Sequence, residues 1–245
     1  MKQIYENYTA EDQKVWGILF DRQFPSLPKA ATTEFTKGLK LVNFTNEGIP
    51  NFEKTNEILL GLTGWEIYAV PGIVEDGLFF ELMANKKFPA TTWVRKMSQL
   101  DYLEEPDMFH DVFAHIPLLT NQAFVDFLQA ISQFGHEWIE DDWAIHLLSR
   151  IYWYTIEFGL IREEGEVKIY GAGILSSAGE TKYSLSDEPN HFEYDVDKIL
   201  ETPYRKDKMQ ENYFIIESYE QLYNSLPEIK SKIEAKLKQR KEAVV

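Results

Sequence analysis

Two histidines lie five residues apart in the segment 106–117, which reads PDMFHDVFAHIP. The neutral imidazoles of His110 and His115 could both bind a metal ion. However, five residues of regular helix separate their directions by roughly 140°, so they cannot share a helix face as a pair four residues apart does in zinc proteases. Because Pro117 disfavours helix at the residue before it, we expect the helix to end near His115. The second imidazole could then turn back toward His110.

A third candidate ligand is Glu157, in the aromatic stretch YWYTIEFGL at 152–160. A buried carboxylate among so many aromatic rings needs a cation, a hydrogen-bond donor or a metal ion beside it. Two imidazoles and one carboxylate on one side of an iron ion leave positions for dioxygen and substrate, as in non-heme Fe(II) oxygenases. A closed structural zinc site would need a fourth protein ligand, and none is obvious nearby. The residue types therefore indicate a catalytic iron site.

The same residues also have structural interpretations. His110 could be a core histidine, with Asp107 and Asp111 capping the start of a helix. Glu157 could pair with Arg150 on the polar face of a helix. That face would have spacings of four, three and four residues and would consist of His146, Arg150, Trp153 and Glu157. Periodicity does not separate these alternatives. For the remaining histidines we favour structural roles, namely His136, His146 and His191.

The composition limits the partners of this chain. It has 245 residues, of which 40 are acidic and 25 basic, so its formal charge is −15. This charge repels nucleic acid and anionic membrane surfaces. Because cysteine is absent, a metal must use histidine and carboxylate ligands, and disulfides and iron–sulfur clusters are impossible. A signal-peptide pattern and an apolar run of the ~18 residues that a membrane span needs are also absent. We therefore expect a cytoplasmic protein without nucleic-acid or membrane partners.

The apolar spacing predicts a mainly α fold with a few short strands, in a single domain over 1–245. Thr9 and Asp12 predict the start of a helix over 8–19. Alternating β-branched residues predict a strand over 65–70, stopped by Pro-Gly. The segment 167–177 is expected to be a strand or hairpin. The other predicted helices are 52–62, 78–85 ended by Phe88-Pro89, 106–134 interrupted at Pro117, 141–158 ended by Gly159 and running through the middle of the fold, 214–226 and 227–239.

Three separated motifs resemble those of the pterin-dependent aromatic amino acid hydroxylases, and are most similar to the short bacterial members that act on phenylalanine. They are PDMFHDVFAHIPLL at 106–119, YWYTIEFGL at 152–160 and IYGAGILSSAGE at 169–180. Weaker similarity extends over nearly the whole chain. The resemblance implies a mono-oxygenase of phenylalanine catabolism that forms L-tyrosine with Fe(II), a tetrahydropterin and O2. It also implies His110, His115 and Glu157 as the iron ligands.

The resemblance implies further roles, residue by residue. The pterin would contact Gly72, Ile73, Val74, Phe79, Asp111 and Tyr152. The substrate would meet Arg95, Asp107, Trp153, Phe158, Gly173 and Ser176. In that arrangement Arg95, oriented by Asp107, binds the amino-acid carboxylate, and Ser176 acts by hydrogen-bonding an iron-ligating histidine. Without the resemblance, Phe79 could be ordinary core and Arg95 a surface helix residue.

Other functions stay open. The family pattern has glycine where this chain has Ala114, so a relative that binds pterin or amino acid without turnover is one alternative. Hydroxylation of tryptophan is another, because the pocket wall sets that choice. The pair His110-Asp111 also matches, superficially, metal phosphohydrolases of helical fold. The regulatory domain and the tetramerisation helix of the animal enzymes have no counterpart in this sequence, so a monomer is expected.

Overall fold

The structure is a computed structural model that describes residues 1–101, 103 and 105–243, and most of its regular structure is helical. The α-helices of this part of the chain are α1 (Ala10–Gln23), α2 (Leu27–Ala30), α3 (Thr33–Leu41), α4 (Phe52–Leu62), α5 (Asp76–Ala84), α6 (Gln122–Glu137), α7 (Asp142–Tyr152), α8 (Ala172–Leu175), α9 (Ala178–Tyr183), α10 (Val196–Glu201), α11 (Tyr219–Asn224) and α12 (Leu226–Ala243). Two π-helices span Phe109–His115 and Trp153–Glu157. Short 3-10 turns span Tyr5–Asn7, Met97–Gln99 and Ile116–Thr120.

Side-chain caps explain where the first long helices begin. Thr9 and Asp12 form a reciprocal pair in which the Thr9 amide donates to the Asp12 carboxylate at 2.7 Å and the Asp12 amide donates to the Thr9 hydroxyl at 3.2 Å. Asn51 caps α4 by accepting from the Lys54 amide at 3.1 Å. The predicted helix over 52–62 is confirmed, and α1 is four residues longer at its end than the predicted 8–19.

Six short strands form two sheets within the described residues. The strands are β1 (Glu66–Val70), β2 (Lys87–Thr91), β3 (Leu160–Glu163), β4 (Glu166–Ile169), β5 (Asn190–Glu193) and β6 (Asn212–Ile216). β1 and β2 pair in parallel, and the second sheet has the order β4-β3-β6-β5, in which only β3 and β4 are antiparallel. The predicted strand over 65–70 is confirmed. The mainly α fold with a few short strands is likewise confirmed.

Two predicted elements are wrong in part, and the strand β2 was not predicted. The helix over 78–85 is confirmed as α5, but Phe88-Pro89 after it lies in β2. β2 has a strand neighbour on one side only, where a proline without an amide hydrogen is tolerated. The predicted helix over 214–226 begins as β6, because its apolar run is buried on both faces and shows neither period. The expected strand or hairpin over 167–177 ends with β4, after which α8 begins.

One apolar core extends from Val15 in α1 to Ile233 in α12. The predicted helix over 141–158 consists of α7 and the second π-helix. Its first half is buried on one side only, since His146 is exposed while Leu147 and Leu148 are buried. Every helix within the described residues is too short or too polar to cross a membrane. The helices of this core hold the candidate site described next.

Candidate metal centre

His110 and His115 lie on a helix whose turns are wider than those of an α-helix. Residues Phe109–His115 form a π-helix, in which each amide bonds to the carbonyl five residues earlier. Such a turn returns the chain to nearly the same face after five residues, and the two Nε2 atoms are 3.3 Å apart. The helix ends at His115, as expected, and the 3-10 turn Ile116–Thr120 follows. The convergence of the two imidazoles comes from the wide turn before that end, which was not predicted.

Glu157 approaches these rings from the second π-helix. The amide of Phe158 bonds to the carbonyl of Trp153, five residues earlier, at 2.8 Å. The Glu157 carboxylate lies 3.3 Å from His115 Nε2 and 3.6 Å from His110 Nε2. One ligand atom from each of the three side chains lies within 4.8 Å of the others. The three groups therefore surround a common point.

Arg150 does not pair with Glu157. Its guanidinium donates to the Leu200 carbonyl and contacts His146 Nε2 at 3.1 Å. The alternative of a Glu157–Arg150 pair on a polar helix face is therefore wrong. The three histidines for which structural roles were favoured are not members of the cluster of metal-binding groups.

The charge state of Glu157 suits a metal ion. Burial is the largest influence and raises the pKa of this carboxyl, but the hydrogen bond and charge of His115, together with the charges of His110 and Lys206, outweigh it. The pKa of Glu157 is therefore below its ordinary value. An ionised carboxylate beside two imidazoles is the donor set that non-heme iron binds.

Ser176 sets the tautomer of His110. The Ser176 hydroxyl lies 2.9 Å from His110 Nδ1 and 2.9 Å from the Ala172 carbonyl. Because a carbonyl only accepts, the hydroxyl donates its one hydrogen to Ala172 and accepts from Nδ1–H. In the neutral imidazole, the form that binds a metal, the free electron pair is then on Nε2, which lies 3.6 Å from the Glu157 carboxylate.

Ser176→Ala is expected to weaken Fe(II) binding by about 10-fold to 100-fold, the usual effect of losing a partner of a metal-bound histidine. The measurement is an anaerobic Fe(II) titration of the purified apoprotein. Ser186→Ala is the matched control, because the Ser186 hydroxyl donates to the Tyr183 carbonyl at 2.8 Å in the same way without contacting a histidine. Equal affinities in the two variants would contradict the assigned role of Ser176.

Arg95 and Asp107 form a buried bidentate salt bridge. Arg95 Nε and Nη2 donate to the two carboxylate oxygens of Asp107 at 2.9 Å each, and the Arg95 amide adds a third bond at 2.9 Å. The Arg95 side chain is only 11% exposed and that of Asp107 is 0% exposed, and Arg95 lies outside any helix, so the surface-helix alternative is wrong. Asp107 also accepts from the His110 amide at 3.2 Å, which joins the arginine to the first π-helix.

The residues expected at a pterin fall into two groups. Phe79 and Tyr152 meet edge to face with ring centroids 5.5 Å apart, and burial first, then the charges of Glu157 and Asp111, raise the pKa of Tyr152. The Phe79 and Tyr152 rings are therefore neighbours of the three metal-binding side chains. The segment 72–74 belongs to the loop that leads from β1 into α5, and Ile73 in it is 71% exposed.

The Asp111 carboxylate is bound by the backbone of β2. Its carboxylate accepts from the Thr91 amide at 2.8 Å. Burial, the largest influence, raises the pKa of Asp111, although the charge of His110 and the bond from Thr91 act against it. Asp111 therefore connects the end of β2 to the π-helix that carries both histidines.

The expected aromatic pocket residues also come together. The Trp153 and Phe158 rings are 4.7 Å apart, and a Cβ on Gly173 would lie 2.6 Å from the Phe158 ring. A Cβ on Gly171 would lie 2.5 Å from the Gly159 amide nitrogen. Gly171, just before α8, and Gly173, within it, therefore allow this part of the chain to approach the second π-helix closely.

Sequence reasoning missed three residues here. Gly171 could have been found, because a glycine pair directly after a strand often marks a close backbone approach. Tyr204, which stacks on Trp153 at 4.3 Å, and Gln210, which accepts from the Trp153 indole at 2.9 Å, are about 50 residues away in the chain. No local pattern connects such distant positions.

Comparison with known proteins identifies the family. A family model described as biopterin-dependent aromatic amino acid hydroxylase matches residues 2–244. The chain belongs to this family. One relative is the phenylalanine-4-hydroxylase of Ralstonia nicotianae. It is 49% identical to this chain over 226 residues, which cover 92% of this chain and 72% of that protein. The resemblance indicated by the three motifs is confirmed.

Solved structures of hydroxylases share the fold. The structure of Chromobacterium violaceum phenylalanine hydroxylase with bound oxidised Fe(III) has a TM-score of 0.92 at 44% identity, covering 97% of this chain and 86% of that chain. The iron- and phenylalanine-bound structure of the same enzyme has a TM-score of 0.87 at 43% identity, covering 92% and 82%. The fold of this hydroxylase is therefore that of the family's iron-binding members.

Proposed function

We propose that this hydroxylase is a mono-oxygenase that converts L-phenylalanine to L-tyrosine with Fe(II), a tetrahydropterin and O2. The convergence of His110, His115 and Glu157 within 4.8 Å of one another carries the proposal. Relatives that are 49% and 45% identical are phenylalanine-4-hydroxylases, and the biopterin-dependent family and its iron-bound structures support both cofactors.

The donor set fits iron. Two imidazoles, one with its tautomer fixed by Ser176, and an ionised carboxylate would hold the ion on one side. Among the described residues, the group that could hold a metal has these three members, as a catalytic site with open positions requires. When bound, iron and the tetrahydropterin supply the activation of dioxygen, while the protein binds and orients the substrates and excludes water.

The surrounding residues would position the two organic molecules. Arg95 would bind the carboxylate of the amino acid, because Asp107 already holds its planar group in one orientation. Trp153 and Phe158, with Gly173 giving them room, would enclose the aromatic ring. The amino acid would then be held at both ends.

The pterin would lie against Phe79 and Tyr152. The rings of these residues are already in contact, and the backbone of the exposed loop 72–74 would supply hydrogen bonds. A Cβ on Gly72 would meet no atom within 4 Å, so the loop backbone is accessible from that side. Asp111 would contact the pterin from the histidine-bearing π-helix.

Product analysis tests the function. Purified protein loaded with Fe(II) is expected to form tyrosine from phenylalanine when a tetrahydropterin and O2 are supplied, with a higher kcat/KM for phenylalanine than for tryptophan. The absence of tyrosine from fully iron-loaded protein would contradict the proposal. A higher kcat/KM for tryptophan would make the protein a tryptophan hydroxylase of the same family. Metal-dependent phosphatase activity would support the phosphohydrolase alternative.

Ala114 fits a working site better than a non-catalytic relative. Its methyl group is fully buried in the apolar core, and His110, His115 and Glu157 still converge within 4.8 Å of one another beside it. The added carbon therefore does not separate the ligands.

We also propose that the chain acts as one catalytic domain, as a monomer in the cytoplasm. One continuous core, a strong net negative charge that opposes self-association, and a sequence without disulfides support this, and light scattering measures the mass in solution.

A further inference from the structure

Gln210 is a buried residue whose side chain is fully hydrogen-bonded. Its amide oxygen accepts from the Trp153 indole N–H at 2.9 Å. Its two amide hydrogens point to the carbonyls of Arg205 and Lys208, at 2.9 and 3.0 Å. Because an amide has one acceptor and two donors, every group is used, and Gln210 ties the indole to the segment 205–208.

Glu180 fixes the backbone of Gln210. This buried carboxylate, in α9, accepts from the Gln210 backbone amide at 3.2 Å and from the Tyr213 hydroxyl. Burial is the largest influence on its pKa and raises it, while the bonds from Tyr213 and Gln210 oppose that rise. Gln210 is therefore held through both its backbone and its side chain.

Trp153 is held on three sides. Its indole stacks on Tyr204 with centroids 4.3 Å apart and planes 16° apart, and meets Phe158 at 4.7 Å and 34°. Stacking keeps the plane of the indole in place, but a half-turn about the Cβ–Cγ bond would leave the ring in the same plane with its N–H edge reversed. The bond to Gln210 has a direction and so selects one of these two orientations.

We infer that Gln210 is a positioning residue that sets substrate selection by holding the Trp153 indole in one of the two orientations related by a half-turn about its Cβ–Cγ bond. The inference rests on the proposed function, in which Trp153 forms a wall of the amino-acid pocket. Without the bond, the indole can also occupy the reversed orientation, and the pocket loses the shape that distinguishes a phenyl ring from the larger indole of tryptophan.

Kinetics of Gln210→Met test the inference, because methionine has a similar length and offers the indole no strong acceptor. We expect KM for phenylalanine to rise about tenfold, with kcat and the KM for the pterin little changed, and the preference over tryptophan to fall. In a Trp153→Phe background, which has no indole N–H, the same substitution should add no further change. A tenfold rise that persists there would show that Gln210 acts only through the segment 205–208, and would overturn the inference.

A second variant separates the two roles of the amide. Gln210→Glu keeps an acceptor for the indole, removes both donors to the backbone carbonyls and sets a carboxylate oxygen against them. It should therefore disturb the segment 205–208 while the Trp153 indole N–H keeps its acceptor and its NMR signal. If Gln210→Met does not fold, this variant still decides, because a tenfold rise in KM for phenylalanine with an unmoved indole signal in Gln210→Glu would overturn the inference.

A readout without turnover distinguishes this inference from the proposed function. In protein labelled with 15N-tryptophan, the Trp153 indole signal, assigned by its loss in Trp153→Phe, should shift in Gln210→Met and exchange faster with solvent. Phenylalanine binding to Co(II)-loaded protein, measured by calorimetry, should weaken about tenfold in parallel. An unmoved indole signal overturns the inference, whereas absent tyrosine formation with a shifted signal and weakened binding contradicts only the proposed reaction.

Discussion

Glu157→Gln is expected to lose stoichiometric Fe(II) binding and to form tyrosine more than about 100-fold more slowly, which exceeds the usual loss for a group that only supports a ligand. The substitution keeps the size of the side chain and removes its negative charge. The two imidazoles, 3.3 and 3.6 Å from the carboxylate oxygens, would then face a dication without an anionic ligand. Iron content and product are measured in the same sample.

Glu166→Gln is the matched control for this variant. Glu166 lies in β4, is exposed, and pairs with Lys168 at 2.6 Å, so its loss should leave iron content and turnover unchanged. Circular dichroism checks that both variants fold. One equivalent of iron and normal product formation in Glu157→Gln would exclude Glu157 as a ligand.

Arg95→Met is expected to destabilise the fold by about 3–5 kcal/mol, because it leaves the fully buried carboxylate of Asp107 without its cation. Chemical denaturation gives the free energy of unfolding. Arg22→Met is the control: Arg22 pairs with Asp101 at the same 2.9 Å, but the side chains are 40% and 92% exposed, so its loss should cost about 0–1 kcal/mol. Equal effects of the two substitutions would contradict the burial argument.

The double variant Arg95→Met/Asp107→Leu separates stability from substrate binding. Removing both charges should restore part of the lost stability. Phenylalanine binding should not recover, because no group is left for the amino-acid carboxylate. Full recovery of binding in the double variant would show that Arg95 has only a structural role.

Residue types alone indicated the chemistry of the candidate site, but not its geometry. Histidine and carboxylate ligands follow from the lack of cysteine, and an aromatic setting for Glu157 was visible in the sequence. The wide turns that bring His110 and His115 together were not visible, because a π-helix depends on packing around it and has no strong local signature. Pro117 was the strongest local signal, and it predicted the helix end at His115 but not the wide turn before it.

Elements with caps were predictable, and elements set by burial were not. Thr9 and Asn51 mark helix starts through their own side-chain bonds, so local sequence was enough. In β6, Tyr213 and Phe214 are buried, and an apolar run without a period fits a strand as well as a helix. The contact of Trp153 with Tyr204 depends on the whole fold, so sequence periodicity could not supply it.

Both stretches that carry the three proposed ligands, Phe109–His115 and Trp153–Glu157, contain one residue more per turn than regular helical geometry would use. Deleting that surplus residue would restore the regular hydrogen-bond pattern of an ordinary helix. The same deletion would rotate the ligands away from one another, together with the buried side chains beside them. We therefore expect neither stretch to tolerate a single-residue deletion, because regularity of the helix and activity exclude each other there.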